Sequence, residues 1–148
     1  MKRALLACTL LVVGCGSDST GPTPPLHLTI TGDASQVGTV QPNGTRECTL
    51  DLTSEATGGG KSGYALWQSG DVTWFDYPEM SYKGTIHMDA GEMVDFWGSD
   101  RVPSGGSVTN QTTWYNPLGV PFRMEMIFRY QVFPTGEQRS LRHYFTCT

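Results

Sequence analysis

From Phe122 to Val132 every second side chain is apolar: Phe122, Met124, Met126, Phe128, Tyr130 and Val132 alternate with Arg123, Glu125, Arg129 and Gln131 among the intervening residues. A helix turns about 100° per residue and would scatter such a series around its circumference, whereas a strand projects it onto one face. Pro134-Thr135-Gly136-Glu137 then supplies a turn, and Leu141, His143, Phe145 and Cys147 alternate against Ser140, Arg142, Tyr144 and Thr146. Two such runs joined by a short turn predict an antiparallel hairpin with one buried face.

The same period recurs upstream. Leu26, Leu28 and Ile30 alternate with His27, Thr29 and Thr31, with Gly32-Asp33 as the expected end and Val37 to Val40 as a short continuation. After the turn signal Pro42-Asn43-Gly44, Cys48, Leu50 and Leu52 face one way, and Glu47, Thr49, Asp51 and Thr53 the other. Tyr64 to Asp76 carries Trp67, Trp74 and Phe75, interrupted at Ser69-Gly70-Asp71. That interruption is either a hairpin turn or a bulge that brings Trp67 and Trp74 onto one face. Tyr82, Ile86 and Met88 suggest a strand, Asp89 to Gly98 a short helical turn or a strand pair around Gly91, and Pro103 to Ser107 a loop. Val108, Thr112 and Trp114 mark another strand, ending at Asn116-Pro117-Leu118-Gly119. About 7–8 short strands separated by Gly and Pro turns predict an all-β antiparallel sandwich, with a small β-barrel as the alternative architecture.

This pattern begins only at Leu26. Met1-Lys2-Arg3 is a cationic start, and Ala4 to Val13 is apolar apart from Thr9. Such a segment reads as a secretory leader, too short for the roughly 20 residues that span a bilayer. Residues 1–14 are therefore assigned to a signal peptide, 15–25 to a tether rich in Ser, Gly and Pro, and 26–148 to one domain. Loss of Lys2 and Arg3 with the leader takes the formal net charge from −4 to −6, a balance that argues against nucleic acid as a partner. Of the 4 cysteines, Cys8 lies in the leader and Cys15 at its end, which leaves Cys48 and Cys147 as an even pair in an oxidising compartment. Both occupy the apolar parity of their strands, so a Cys48–Cys147 disulfide is expected.

Val12-Val13-Gly14-Cys15 resembles the lipobox of bacterial lipoproteins. The resemblance implies acylation of Cys15, anchoring to a membrane through the lipid, and, with Gly16 in place of Asp, an outer-membrane location facing the periplasm or the cell surface. Residues 26–148 are similar to the immunoglobulin-like domains of exported bacterial proteins. The likeness lies in Cys48 on an early strand, a Trp on the next, and Tyr144-Phe145-Thr146-Cys147 late. The chain departs from the antibody pattern in the long gap from Cys48 to Trp67, in the Tyr-to-Cys spacing and in having no strand after Cys147, so antibody roles are not carried over.

Chemistry-bearing residues are few. Thr57 to Gly63 looks like the end of a phosphate-binding loop, but Glu55 stands where the first Gly belongs, and a glycine-rich connection is the better reading. His27 is expected outward and His143 inward as a core histidine. His87 stands near Asp89, Glu92 and Asp95, three carboxylates that form the weak candidate set for calcium and otherwise a solvated acidic loop. No Gly-x-Ser-x-Gly context accompanies any of these histidines. Tyr77, Tyr82, Trp97 and Tyr115 fall near predicted loops as a candidate patch for glycan or protein. The expectation is a non-catalytic binding or structural module of the cell envelope, with no cofactor and with an envelope protein or glycan as partner. The alternatives are a small exported hydrolase and a calcium-dependent glycan-binding domain.

Overall fold

The structure, a computed structural model, describes residues 22–148, with the backbone alone for residues 33–39. The leader, Cys15 and the first part of the tether lie outside the described residues. In chain order the elements are β1 (His27–Val40), β2 (Arg46–Thr57), β3 (Tyr64–Asp76), β4 (Tyr82–Met88), α1 (Ala90–Trp97), β5 (Arg101–Pro103), β6 (Ser107–Asn116), β7 (Phe122–Phe133) and β8 (Glu137–Cys147). All pairings are antiparallel and form two sheets. One has the order β1-β2-β6; the other has the order β4-β3-β7-β8, with β5 also pairing β3. These correspond to the A-B-E and C′-C-F-G orders of an immunoglobulin-like sandwich. The sheets do not close into a barrel.

The predicted hairpin is β7–β8, in register from Phe122↔Cys147 to Val132↔Glu137. Its inward residues Phe122, Met124, Met126, Phe128, Tyr130 and Val132 are all buried, against Leu28, Leu50 and Leu52 from the facing sheet. Tyr130 places its hydroxyl where Leu28 N–H donates to it at 3.3 Å, a polar tie between the layers. Cys48 and Cys147 are bonded, with Cα atoms 6.1 Å apart, joining the middle strand of one sheet to an edge strand of the other.

One local expectation is corrected and two open alternatives are decided. Gly32 does not end β1: the strand continues to Val40 through two irregularities, and Gly32 pairs with Leu52. A Cβ there would stand 2.5 Å from Asp51 O, so glycine admits a close backbone approach inside the strand. The interruption in β3 is a bulge, one residue earlier than Ser69: Trp67 pairs with Tyr130 and Ser69 with Arg129, leaving Gln68 extra. The extra residue switches parity, so Trp67, Gly70, Val72 and Trp74 share the inner face. Between Asp89 and Gly98 the helical alternative is the one adopted. Asp89 accepts from Glu92 N–H at 2.9 Å, and Glu92 reaches back to Asp89 N–H at 2.8 Å, a capping box. Gly98 ends the helix in the left-handed region (φ 68°), its N–H donating to Val94 O.

The glycine-rich segment holds the incoming chain. Gly58, Gly59 and Gly60 all have positive φ, Gly59 N–H donates to Pro24 O at 2.8 Å, and a Cβ on Gly58 would meet Pro25 O at 2.2 Å. Arg139 completes this end by donating to Leu26 O (2.7 Å) and to His27 Nδ1 (2.9 Å).

Candidate functional site

The space between the sheets is flanked on one side by the edge strands β6 and β4. In the half nearer the tether, α1 fills that flank. Met93 is fully buried and Trp97 is 2 % exposed, stacked on Trp67 with ring centroids 5.3 Å apart and Phe128 edge-on to both. Gly70 makes room for this plug, since a Cβ would stand 2.7 Å from Met88 Cε and 2.8 Å from Met93 Sδ. Asn110 Nδ2 donates to Phe96 O and fastens the helix to β6.

In the other half the flank is open, as a groove of about 420 Å³. Its apolar lining comes from Trp74 on β3, Ile86 on β4, Trp114 on β6, Leu118 in the following turn, and Phe122 and Met124 on β7. Ile86 points inward, opposite Val72, and is nevertheless 42 % exposed; Tyr115 and Leu118 at the rim are 61 % and 67 % exposed. Large apolar side chains left in water around a concavity of this size make the groove the candidate site. The polar lining is small: Asp76 with Lys83 Nζ at 2.7 Å from its Oδ2, Thr113 and Asn116. Asn116 braces the wall by donating to Val120 O and accepting from Leu118 N–H.

Of the predicted aromatic patch, only Tyr115 lines this groove. Trp97 is a core residue, a correction that follows from its place in the last turn of α1, which turns it onto Trp67. Tyr82 is exposed but packs edge-on against Phe75 on the outer face, and Tyr77 is half-buried, its N–H bonded to Pro121 O. The acidic set also separates: Asp89 and Glu92 belong to the capping box, and Asp95 is exposed on the helix. Among the described residues no group of three or more His, Cys, Asp or Glu is placed to hold a metal. His87 turns instead to β3, where its Nδ1 donates to Asp71 Oδ1 at 2.7 Å while Arg129 Nη1 donates to Oδ2 at 2.6 Å. The His87 hydrogen bond is the main cause that holds the Asp71 carboxyl below its ordinary 3.8; partial burial opposes it, and Arg129 adds to it. His27 lies on the surface beside Arg139, and His143, on the inward parity, is half-buried against Phe145.

Sequence reasoning missed Trp74, Ile86, Trp114 and Leu118 as site residues. Leu118 was the available signal, a large apolar residue inside an Asn-Pro-Leu-Gly turn.

No family model and no curated protein matches the sequence. Among solved structures the fold is similar to a crystal structure from Bordetella pertussis with the provisional designation ApaA, at TM-score 0.56 and 11 % identity, covering 86 % of this chain and 97 % of that one. It is also similar to a structural-genomics target designated SoR45, at TM-score 0.53 and 9 % identity, covering 86 % and 89 %. At such identities the likeness is one of fold, and folds of this kind carry many unrelated functions.

Proposed function

We propose that this chain is a non-catalytic binding module of the bacterial cell envelope, held on the outer membrane by acylated Cys15, with the apolar groove between β4 and β6 as its binding site. The observation that carries the reading is the groove itself: Ile86, Tyr115 and Leu118 stand exposed around a concavity floored by Trp74, Trp114 and Met124. Its lining contains no His, Cys or Ser, and its carboxylate is already paired with Lys83, a chemistry suited to holding an apolar ligand. The lipobox-like Val12-Val13-Gly14-Cys15 and the bonded Cys48–Cys147 pair support placement outside the cytoplasm.

The test has two arms. Wild-type protein is expected in the washed outer-membrane fraction and the Cys15→Ser variant in the soluble fraction; equal membrane recovery would refute the anchor. Anilinonaphthalene sulfonate is expected to bind and to quench tryptophan fluorescence in the wild type, and the Ile86→Glu variant is expected to lose that binding. Identical binding by both would refute the groove as the site.

A further inference from the structure

The edge of β6 narrows what the groove accepts, granted that the groove is the binding site. Among the described residues β6 is the last strand of its sheet, and one side of its backbone has no neighbouring strand. Thr113 and Tyr115 have outward parity, opposite Thr49 and Glu47, and the Thr113 hydroxyl pairs with Thr49 at 3.0 Å; both residues nevertheless line the groove. The wall at this point is thus the strand edge, while the floor beside it is apolar. A backbone edge offering ladder hydrogen bonds, next to a slot that takes apolar side chains, meets the two requirements of strand addition. Nearer the tether the same flank is already covered by α1.

With the leader removed before Cys15, as proposed above, the chain's own N-terminal segment is too short to reach this place. Residues 23–26 are held at the opposite end by Gly58, Gly59 and Arg139. From Cys15 to Pro22 the backbone spans at most about 29 Å, whereas β7, with 12 residues, extends about 40 Å between the two ends. A second copy has no suitable strand to lend, because the alternating strands β2, β7 and β8 already direct their apolar faces into their own core.

We propose that the groove receives an extended segment of a different protein, which adds to β6 as a fourth strand and places alternate apolar side chains between Trp74 and Trp114. The probe is a nine-residue peptide, Lys-Thr-Val-Thr-Val-Thr-Val-Thr-Lys, offered to the full chain in phosphatidylcholine nanodiscs. A control of the same composition has its valines in one block, and two further versions are N-methylated at alternate amides, one for each edge. The alternating peptide is expected to bind about tenfold or more tightly than the block control, one of the two methylated versions to lose binding, and amide exchange at Thr112 to Asn116 to slow. Ile86→Glu is expected to weaken binding about tenfold, and Val94→Glu, on the exposed face of α1, to leave it unchanged. Equal binding of the alternating and block peptides, or retention of binding by both methylated versions, overturns strand addition. If no peptide binds while anilinonaphthalene sulfonate or palmitate still enters, strand addition is wrong and the groove reading stands; if nothing enters, both are wrong. Concentration-dependent dimerisation that protects the same β6 amides without peptide identifies a second copy and also overturns the proposal.

Discussion

Trp67 and Trp74 stand on the same face of the same strand and meet opposite fates. Trp67 is 2 % exposed under α1, whereas Trp74 is half-buried at the wall of an open groove. The two halves of the sandwich are held by different means. Near the tether α1 packs between the layers, with Trp97 against Trp67 and Phe128 of the larger sheet and Phe96 O accepting from Asn110 of β6 in the smaller one. Near the groove, Cys48 lies opposite Trp114 and Cys147 opposite Phe122, so the disulfide ties the layers beside two residues that line the opening. An apolar slot beside a packed core loses dispersion contacts and tends to collapse. The disulfide joins β2 and β8, the strands paired with the wall strands β6 and β7, without filling the slot.

The comparison can be broken at either half, and removal of the disulfide is expected to have the largest effect. With the cysteines 99 positions apart in the sequence, chain-entropy arguments give about 4 to 5 kcal/mol as an upper figure for Cys147→Ala. Denaturant unfolding measures the loss, and hydrogen exchange is expected to accelerate first around Phe122 and Trp114, with Trp67 following later. Trp97→Ala should cost about 3 to 4 kcal/mol through the cavity it leaves, with faster exchange centred on α1 and β3 near Trp67. If both variants loosen the same amides, the division into halves is wrong. Trp74→Ala, at a half-solvated wall, should cost only about 1 kcal/mol yet abolish uptake of anilinonaphthalene sulfonate, separating binding from stability.

The smallest effect concerns Asp71, at the junction of the halves, where it bridges β4 and β7. Its folded value lies below its ordinary 3.8, so its contribution is complete above the unfolded value and is lost as pH falls through the folded one. For so accessible a pair the amount is below about 1 kcal/mol. Asp71→Asn should therefore be slightly destabilised at neutral pH and match the wild type at the acid end, as followed by urea midpoints across the pH range.

Much of the half built on alternation was legible in the sequence. The parity of Phe122 to Val132, of Cys48 to Leu52 and of Leu141 to Cys147 is a local property of a strand with one buried face, and it sufficed for the hairpin, the sandwich and the disulfide. The plug was only half legible. Asp89 and Glu92 have capping-box spacing, but with Asp95 they also make three carboxylates near His87 and resembled a metal loop, and the helix that decides between these readings has only 8 residues. Trp97 was misplaced for the same reason: its direction depends on the helix, and the helix on its docking against Gly70. Of the groove only Tyr115 was named as a site residue from the sequence, because its lining comes from four strands and a turn whose proximity exists only after the sheets assemble.

The glycine cradle around Pro24 and Pro25 also has a mechanical consequence. Under the proposed anchor, tension would meet the domain at the start of β1, at the end opposite the groove. Inter-strand hydrogen bonds lie across the strands, so a pull along β1 loads its ladder with β2 in shear, across pairs running from His27↔Thr57 to Val40↔Arg46, instead of unzipping them one by one. A ligand held at the far end would draw the force lengthwise through the whole sandwich, the direction in which a paired sheet resists most.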